Sequence, residues 1–209
     1  MMHVRIVSKS EINVIEKIVD IHMSTFAGFF LTFMGRGFLN QMYSSYCNHE
    51  NSGLLVALEG EDPVGFLAYS GDMSGLYKHM LKTRFIQFAW YSLGAFLRKP
   101  KAFMKIIRAF LKPGESKREE AYVEISSIGV KPETKSKGIG SKLISILKES
   151  VDFSKYEYIN LETDAENNEA ANKFYLKNGF VISRSYETHE GRKMNEYRFK
   201  GEIHEPVVS

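Results

Sequence analysis

Two glycines, Gly138 and Gly140, sit in a lysine-rich run, Lys135-Ser136-Lys137-Gly138-Ile139-Gly140-Ser141-Lys142, between a β-branched stretch and an amphipathic one. Glycine lets the backbone come close to a ligand. A helix that starts there leaves its first-turn N–H groups unpaired at the positive end of its dipole. The run therefore has the makings of an anion cradle, able to hold a pyrophosphate with little help from side chains. Lys135, Lys137 and Lys142 add positive charge, although lysines on a solvated surface helix look the same. It is not a dinucleotide fingerprint, because Leu143 stands where a third glycine belongs, and not a Walker loop, because no Gly-Lys-Ser/Thr is present. Further along, Asn168, Ala171 and Tyr175 recur three and four residues apart, on one helix face where small Ala171 leaves room between two polar groups. Such a face could line a cofactor. Taken singly, Asn168 is also a helix cap, Tyr175 a core residue and Gly179 a helix stop.

These residues need a scaffold. Runs of β-branched and aromatic residues bounded by turn formers predict strands at His3–Ser8, Leu54–Leu58, Val64–Ser70, Ala121–Val130, Tyr158–Thr163, Val181–Tyr186 and Met194–Phe199. Apolar residues three and four apart predict helices at Ile12–His22, Arg36–Tyr46, Gly138–Val151 and Asn168–Asn178. Strands and helices interleave, as in a mixed α/β domain. Pro100 and Pro113-Gly114 punctuate a further helical pattern, predicting helices at about Leu76–Leu97 and Lys101–Leu111. These look like an insertion, at about residues 71–119, in one domain spanning 2–200, with a loose tail at 201–209.

The chain has 209 residues, of which 44% are hydrophobic and 25% charged, the balance of a globular protein rather than a disordered one. Its one cysteine, Cys47, excludes an intrachain disulfide, CxxC redox chemistry and a Cys-rich zinc site, and fits a reducing cytoplasm. No charged-then-apolar signal pattern opens the chain. The longest uncharged stretches, Ile21 to Gly35 and Phe85 to Leu97, have 15 and 13 residues, too few to span a bilayer. The net charge of +3 hides an asymmetry: residues 78–118 hold 11 Lys or Arg and one acid, Glu115, against 17 basic and 24 acidic residues elsewhere. The net negative remainder and the lack of a binding motif argue against nucleic acid. The basic aromatic segment could be a lid over an anionic acceptor, a helical pair on an anionic membrane or a homodimer face; its bland alternative is a buried apolar stripe with a solvated lysine face.

The strand and run ending in Lys135-Ser136-Lys137-Gly138-Ile139-Gly140 resemble the acyl-CoA-binding motif Gln/Arg-x-x-Gly-x-Gly/Ala of the GNAT superfamily of N-acetyltransferases, with Lys135 at the Gln/Arg position. The downstream Asn168, Ala171, Tyr175, Gly179 and Phe180 are similar to the family's Asn-x-x-Ala-x-x-x-Tyr-x-x-x-Gly-Phe, in the right order. The resemblance covers about Ala121 to Tyr186. It implies an α/β fold with a mixed, mostly antiparallel sheet, splayed at the cofactor site and flanked by helices. It implies acetyl-CoA as co-substrate, no metal, and a small-molecule amine as acceptor. The backbone of Ile128, Gly129 and Val130 would meet pantetheine and the carbonyl oxygen, and the loop from Lys135 through Ser136, Lys137, Gly138, Ile139 and Gly140 to Ser141 would hold the pyrophosphate. Asn168 and Ala171 would line the cofactor.

Acetyl transfer to an amine needs a neutral nucleophile, stabilisation of the carbonyl oxygen and a proton for the departing thiolate. Tyr175 resembles the family's general acid: a phenol of pKa ~10 keeps its proton at neutral pH and can donate to a thiolate near ~8.5. Glu124 stands where some members carry a catalytic glutamate. It is a base, or else an orienting carboxylate with the proton leaving through a water ordered by Ser126. The first loop, with His22, Phe26 and Phe29 as acceptor contacts, is similar to a bacterial subset associated with surface-polysaccharide assembly, which favours an amino-sugar or nucleotide-sugar acceptor. His22 is equally a cap or a packed residue, and His189 has the same standing. The competing class is a non-catalytic CoA-binding or membrane-surface module. The protein is expected in the cytoplasm, free or at the inner membrane face.

Overall fold

Strands β2 (Ser52–Glu59) and β3 (Asp62–Ser70) are apolar on both faces, and that fixes the layering. They pair antiparallel across a turn at Gly60, whose φ of +64° suits glycine. Alternate side chains point to opposite faces, so Leu54, Val56 and Leu58 enter one core and Leu55 and Ala57 the other. The computed structural model describes residues 2–98, 100, 120–134, 137–188 and 191–201. Around β2 and β3 it builds a seven-stranded sheet of order β1-β2-β3-β4-β5-β7-β6, with β1 Met2–Ile6, β4 Tyr122–Val130, β5 Tyr158–Asp164, β6 Val181–Glu187 and β7 Lys193–Phe199. Among the described strands only β4 and β5 run parallel.

Helices α1 (Ile12–Thr25) and α3 (Arg36–Asn48) cover the first face. Ile15, Ile18, Val19, Leu39 and Tyr43, three and four apart, are buried there against Phe66. On the second face α5 (Ile139–Ser150) buries Ile139, Leu143, Ile144 and Leu147. Beside it α6 (Glu169–Lys177) packs Phe174 and Tyr175. The sequence-derived elements that fall within the described residues form, with ends that differ by up to three residues. The short α2 (Phe30–Met34) lies in what the sequence presents as the loop between the first two helices; five residues are too few to show a period. The first inserted helix forms as α4 (Met73–Arg98), interrupted at Arg84 by non-helical φ and ψ of −134° and 21°. The second, Lys101–Leu111, lies outside the described residues, as do 202–209 of the tail and His189.

One irregularity positions the site. Between β3 and β4 the register shifts by one residue at Ala68/Tyr69, which leaves Ser126 as a bulge in β4. The parallel pairing of β4 with β5 covers only Tyr122, Val123 and Glu124 and stops just before that bulge. From there to Val130 the two strands part. Gly129 lies in the parting strand, and its missing side chain is taken up by packing: a Cβ would meet Phe66 Cε1 at 2.7 Å and Phe26 Cε2 at 3.3 Å. Gly129→Ala is expected to lower stability by ~1–3 kcal/mol, as overpacking of a closed core does. Urea unfolding should show a lower midpoint with an unchanged slope, and an unshifted midpoint would mean that the two rings are free to move aside.

Candidate active site

At the start of α5 the chain makes a left-handed turn at Gly138, with φ +76° and ψ 7°. No atom lies within 4 Å of where its Cβ would be, so the turn is open toward the cleft. The following N–H groups of Ile139, Gly140 and Ser141 have no intrahelical acceptor, and among the described residues no side chain caps them. The two glycines do different jobs. Gly140 is there for contact with α6, because a Cβ would come within 2.9 Å of Phe174 Cζ. Ile139 turns away into the core. Lys137 points to Glu59 at 3.8 Å, and Lys135 and Ser136 lie outside the described residues.

Asn168 begins α6 without capping it; its Nδ2 donates to Thr163 Oγ1 at 2.7 Å instead. Asn172, which sequence reasoning missed, ties helix to sheet. Its Nδ2 donates to the carbonyls of Asp164 and Asn168, both at 2.9 Å. Its Oδ1 accepts from Tyr197 Oη at 2.7 Å and from Asn195 Nδ2 at 3.1 Å. The only available signal was its place four residues after Asn168. Tyr175 packs against the rings of Phe174, Tyr197 and Phe180, with centroids 5.3, 5.6 and 6.1 Å away. Its hydroxyl makes no hydrogen bond among the described residues. Burial, with the neighbouring Tyr197 adding to it, pushes its pKa up to about 12.

Through the gap between β4 and β5 runs a cleft of about 700 Å³. Its α5–α6 end is lined by Gly138, Ile139, Gly140, Ser141, Asn168, Ala171 and Tyr175, its middle by Ser126, Ser127, Ile128 and Val130, and its far end by His22, Phe26 and Phe29. Gly129 and Glu124 are not on its wall. Gly129 turns its open side to Phe66, and Glu124 lies toward Tyr46 and Tyr77, whose phenols its carboxylate raises beyond the larger effect of burial. Sequence reasoning also missed Thr25, Leu31, Arg192 and Met194 on the wall; they come from three separate segments, α1, α2 and the start of β7. Thr25 Oγ1 donates to the Val130 carbonyl at 3.1 Å, fastening α1 to the parting strand. Asp164 is held by Arg192 Nη2 at 2.8 and 3.0 Å, and Glu162 accepts from Tyr186 Oη at 2.6 Å.

His22 is 3% exposed, with Nδ1 2.7 Å from Tyr43 Oη and the Phe26 ring 4.8 Å away. Tyr43 Oη also reaches Ser127 Oγ at 3.4 Å, so the imidazole is linked through the phenol to β4. Nε2 is buried with no partner among the described residues. Burial lowers the His22 pKa to about 4.

The model of the acetyltransferase (GNAT) family matches residues 15–180, which is most of the chain. The chain belongs to the GNAT acetyltransferase family. No curated protein matches it significantly. Among solved structures, the ribosomal-protein-S18-alanine N-acetyltransferase of Escherichia coli aligns over 100% of this chain and 99% of its own, with TM-score 0.59 and 11% identity. An N-acetyltransferase of Staphylococcus aureus Mu50 aligns over 96% and 98%, with TM-score 0.59 and 15% identity. Arabidopsis thaliana NAA60, solved with acetyl-CoA, aligns over 96% and 98%, with TM-score 0.56 and 16% identity. At these identities the likeness is one of fold.

As a GNAT protein the chain is an acyl-CoA-dependent N-acetyltransferase with acetyl-CoA as co-substrate. Its residues fit that molecule: an open left-handed glycine and free helix N–H groups at one end of the cleft, and strand backbone without a pairing strand in the middle. The described residues hold no group of three or more His, Cys, Asp or Glu placed for a metal, and none of their helices is long and apolar enough to cross a membrane.

His22 gives the GNAT fold a pH dependence of definite sign. With a pKa of about 4 folded against 6.5 unfolded, the unfolded chain binds the proton more tightly between these values. Stability is therefore expected to fall as pH drops from 6.5 toward 4, by up to ~3 kcal/mol, and this group contributes no slope above that window. His22→Phe should flatten the dependence in urea unfolding at several pH values; the same slope in the variant would mean that His22 titrates normally.

Proposed function

We propose that the chain acts in the cytoplasm as one domain, residues 2–200 with an insertion at 71–119, and acetylates the primary amine of a small molecule by direct attack. The observation that carries this is one cleft joining three parts: an anion cradle at Gly138, a half-buried phenol at Tyr175, and an aromatic end with a neutral imidazole. When bound, acetyl-CoA supplies an acetyl group activated as a thioester. The cradle N–H groups and Asn168, Ala171 and Ser141 bind and orient it, and the N–H groups of β4 between Ser127 and Val130 stabilise charge growing on the carbonyl oxygen.

Tyr175 is the proposed acid. With a pKa near 12 it keeps its proton at rest and releases it only as negative charge builds on the nearby sulfur. For the base, Glu124 lies off the wall while Ser126 and Ser127 lie on it, which favours water held by the serines as the first proton acceptor, with Glu124 as its destination. An amino sugar suits the far end, where Phe26 and Phe29 offer flat apolar faces opposite the polar groups of Glu162, Asp164 and Arg192. The link to polysaccharide assembly rests on the first-loop resemblance alone.

The decisive assay is thiol release from acetyl-CoA with a panel of amino sugars, nucleotide-linked amino sugars, amino acids, polyamines and alanine-ended peptides. Release with an amino sugar is expected, and release with peptides alone would overturn that choice. Tyr175→Phe is expected to lower kcat by ~10²-fold or more without changing acetyl-CoA affinity; undiminished turnover would remove Tyr175 from the mechanism. Gly138→Glu should abolish acetyl-CoA binding in calorimetry, through strain at positive φ and a carboxylate facing phosphate. Unchanged affinity would place the pyrophosphate elsewhere.

A further inference from the structure

Helix α4 belongs to the core for only part of its length. Near its start Leu76 is fully buried and Met80 is 7% exposed. After the interruption at Arg84, whose Nη1 donates to Gln41 Oε1 at 2.5 Å, one side stays fastened: Phe88 packs on Phe38 with centroids 4.9 Å apart. The other side is apolar and faces solvent. Ile86, Trp90, Leu93 and Leu97 are 79, 71, 49 and 72% exposed, and their spacing of four, three and four puts them on one helix face. Phe85, 63% exposed, borders it. A contiguous exposed set of this kind marks an interaction surface.

Charge identifies the partner. Lys78 and Lys82, both exposed, lie on α4 before the interruption, and over its length, residues 73–98, the helix carries four basic residues and no acid. A second copy of the chain across this face would set two such segments against each other, and like charges oppose that. A lipid bilayer with anionic headgroups offers an apolar layer and counter-charge in one plane, as interfacial helices require. We propose that the exposed face of α4 docks on an anionic lipid surface, with Trp90 at the level of the headgroups. Met73, at the start of α4, accepts from Ser126 Oγ at 3.4 Å, so docking brings the membrane to the cleft's neighbourhood. The proposal does not depend on which amine is acetylated.

The test uses the purified full chain and two sets of vesicles, phosphatidylcholine alone and phosphatidylcholine with phosphatidylglycerol. Trp90 is the chain's only tryptophan, so its fluorescence reports this face directly. Cosedimentation with the anionic vesicles is expected, with a blue shift of Trp90 emission, and binding should fall steeply from ~0.05 to ~0.5 M salt as the Debye length shortens. The double charge reversal Lys78→Glu with Lys82→Glu should weaken binding ~10-fold or more, at about 1 kcal/mol per lysine. Ile86→Asp with Leu93→Asp should abolish the shift. All four positions lie outside the cleft, so acetyl-CoA titration must be unchanged in both variants, which checks that they fold and keeps this test separate from that of the acetyltransferase. Equal binding to neutral vesicles, or none to anionic ones, overturns the proposal. So does a Trp90 already shielded from an aqueous quencher in a vesicle-free dimer, which would assign the face to a second copy.

Discussion

A parallel strand pair that stops after three residues organises this protein. β4 and β5 are hydrogen-bonded at Tyr122, Val123 and Glu124, and then part in the middle of the sheet. Backbone N–H and carbonyl groups at a sheet's interior ordinarily find partners, and leaving them unmet in a buried place costs free energy. Strands that separate here must therefore be held apart. On the β4 side the hold is the Ser126 bulge, the β3 pairing that continues to Val130, and the Thr25 bond to the Val130 carbonyl. On the β5 side it is the β7 pairing out to Asp164 and the bond from Asn172 to the Asp164 carbonyl. Each strand is satisfied along its outer edge, so the inner edges remain for a ligand that carries its own amides.

The same division explains the packing around the gap. Aromatic side chains fill the places where glycine leaves space: Phe66 and Phe26 over Gly129, and Phe174 over Gly140. The first contact lets α1 lie close to β4, and the second lets α6 lie close to α5. Gly138 alone is left open, and it alone of the three has a positive φ. Steric need and conformational need are thus met by different glycines within twelve residues of chain.

Much of this was legible in the sequence. Apolar runs located the central strands because these are buried on both faces, and a period near 3.6 located the long helices because each buries one. The glycine run and the Asn168–Tyr175 face were visible because each lies within one element. What stayed hidden depends on pairs of elements. The bulge at Ser126 is defined only by register with β3, and the roles of Gly129 and Gly140 only by rings that are remote in sequence. The four hydrogen bonds of Asn172 draw on β5, β7 and its own helix, and nothing in the string Ala170-Ala171-Asn172-Lys173 announces them. Glu124 was chosen by its position along β4, but alternation and the neighbouring bulge turn it toward Tyr46 and Tyr77 rather than onto the cleft wall.

Asn172 and the proposed acid share one support. Tyr197 packs its ring 5.6 Å from Tyr175 and gives its hydroxyl proton to Asn172 Oδ1, three residues earlier on the same helix. The neighbour that encloses the Tyr175 ring is thus anchored to the helix that carries it, and α6 cannot shift along β7 without breaking that bond. A phenol used as a proton donor needs such fixing more than it needs a lowered pKa. Enclosure raises its pKa, which keeps the proton in place while the site is idle, and the same low-polarity surroundings strengthen its attraction to a thiolate that appears beside it. The burial that makes Tyr175 a weak acid at rest therefore makes it responsive to the negative charge that the departing sulfur would carry.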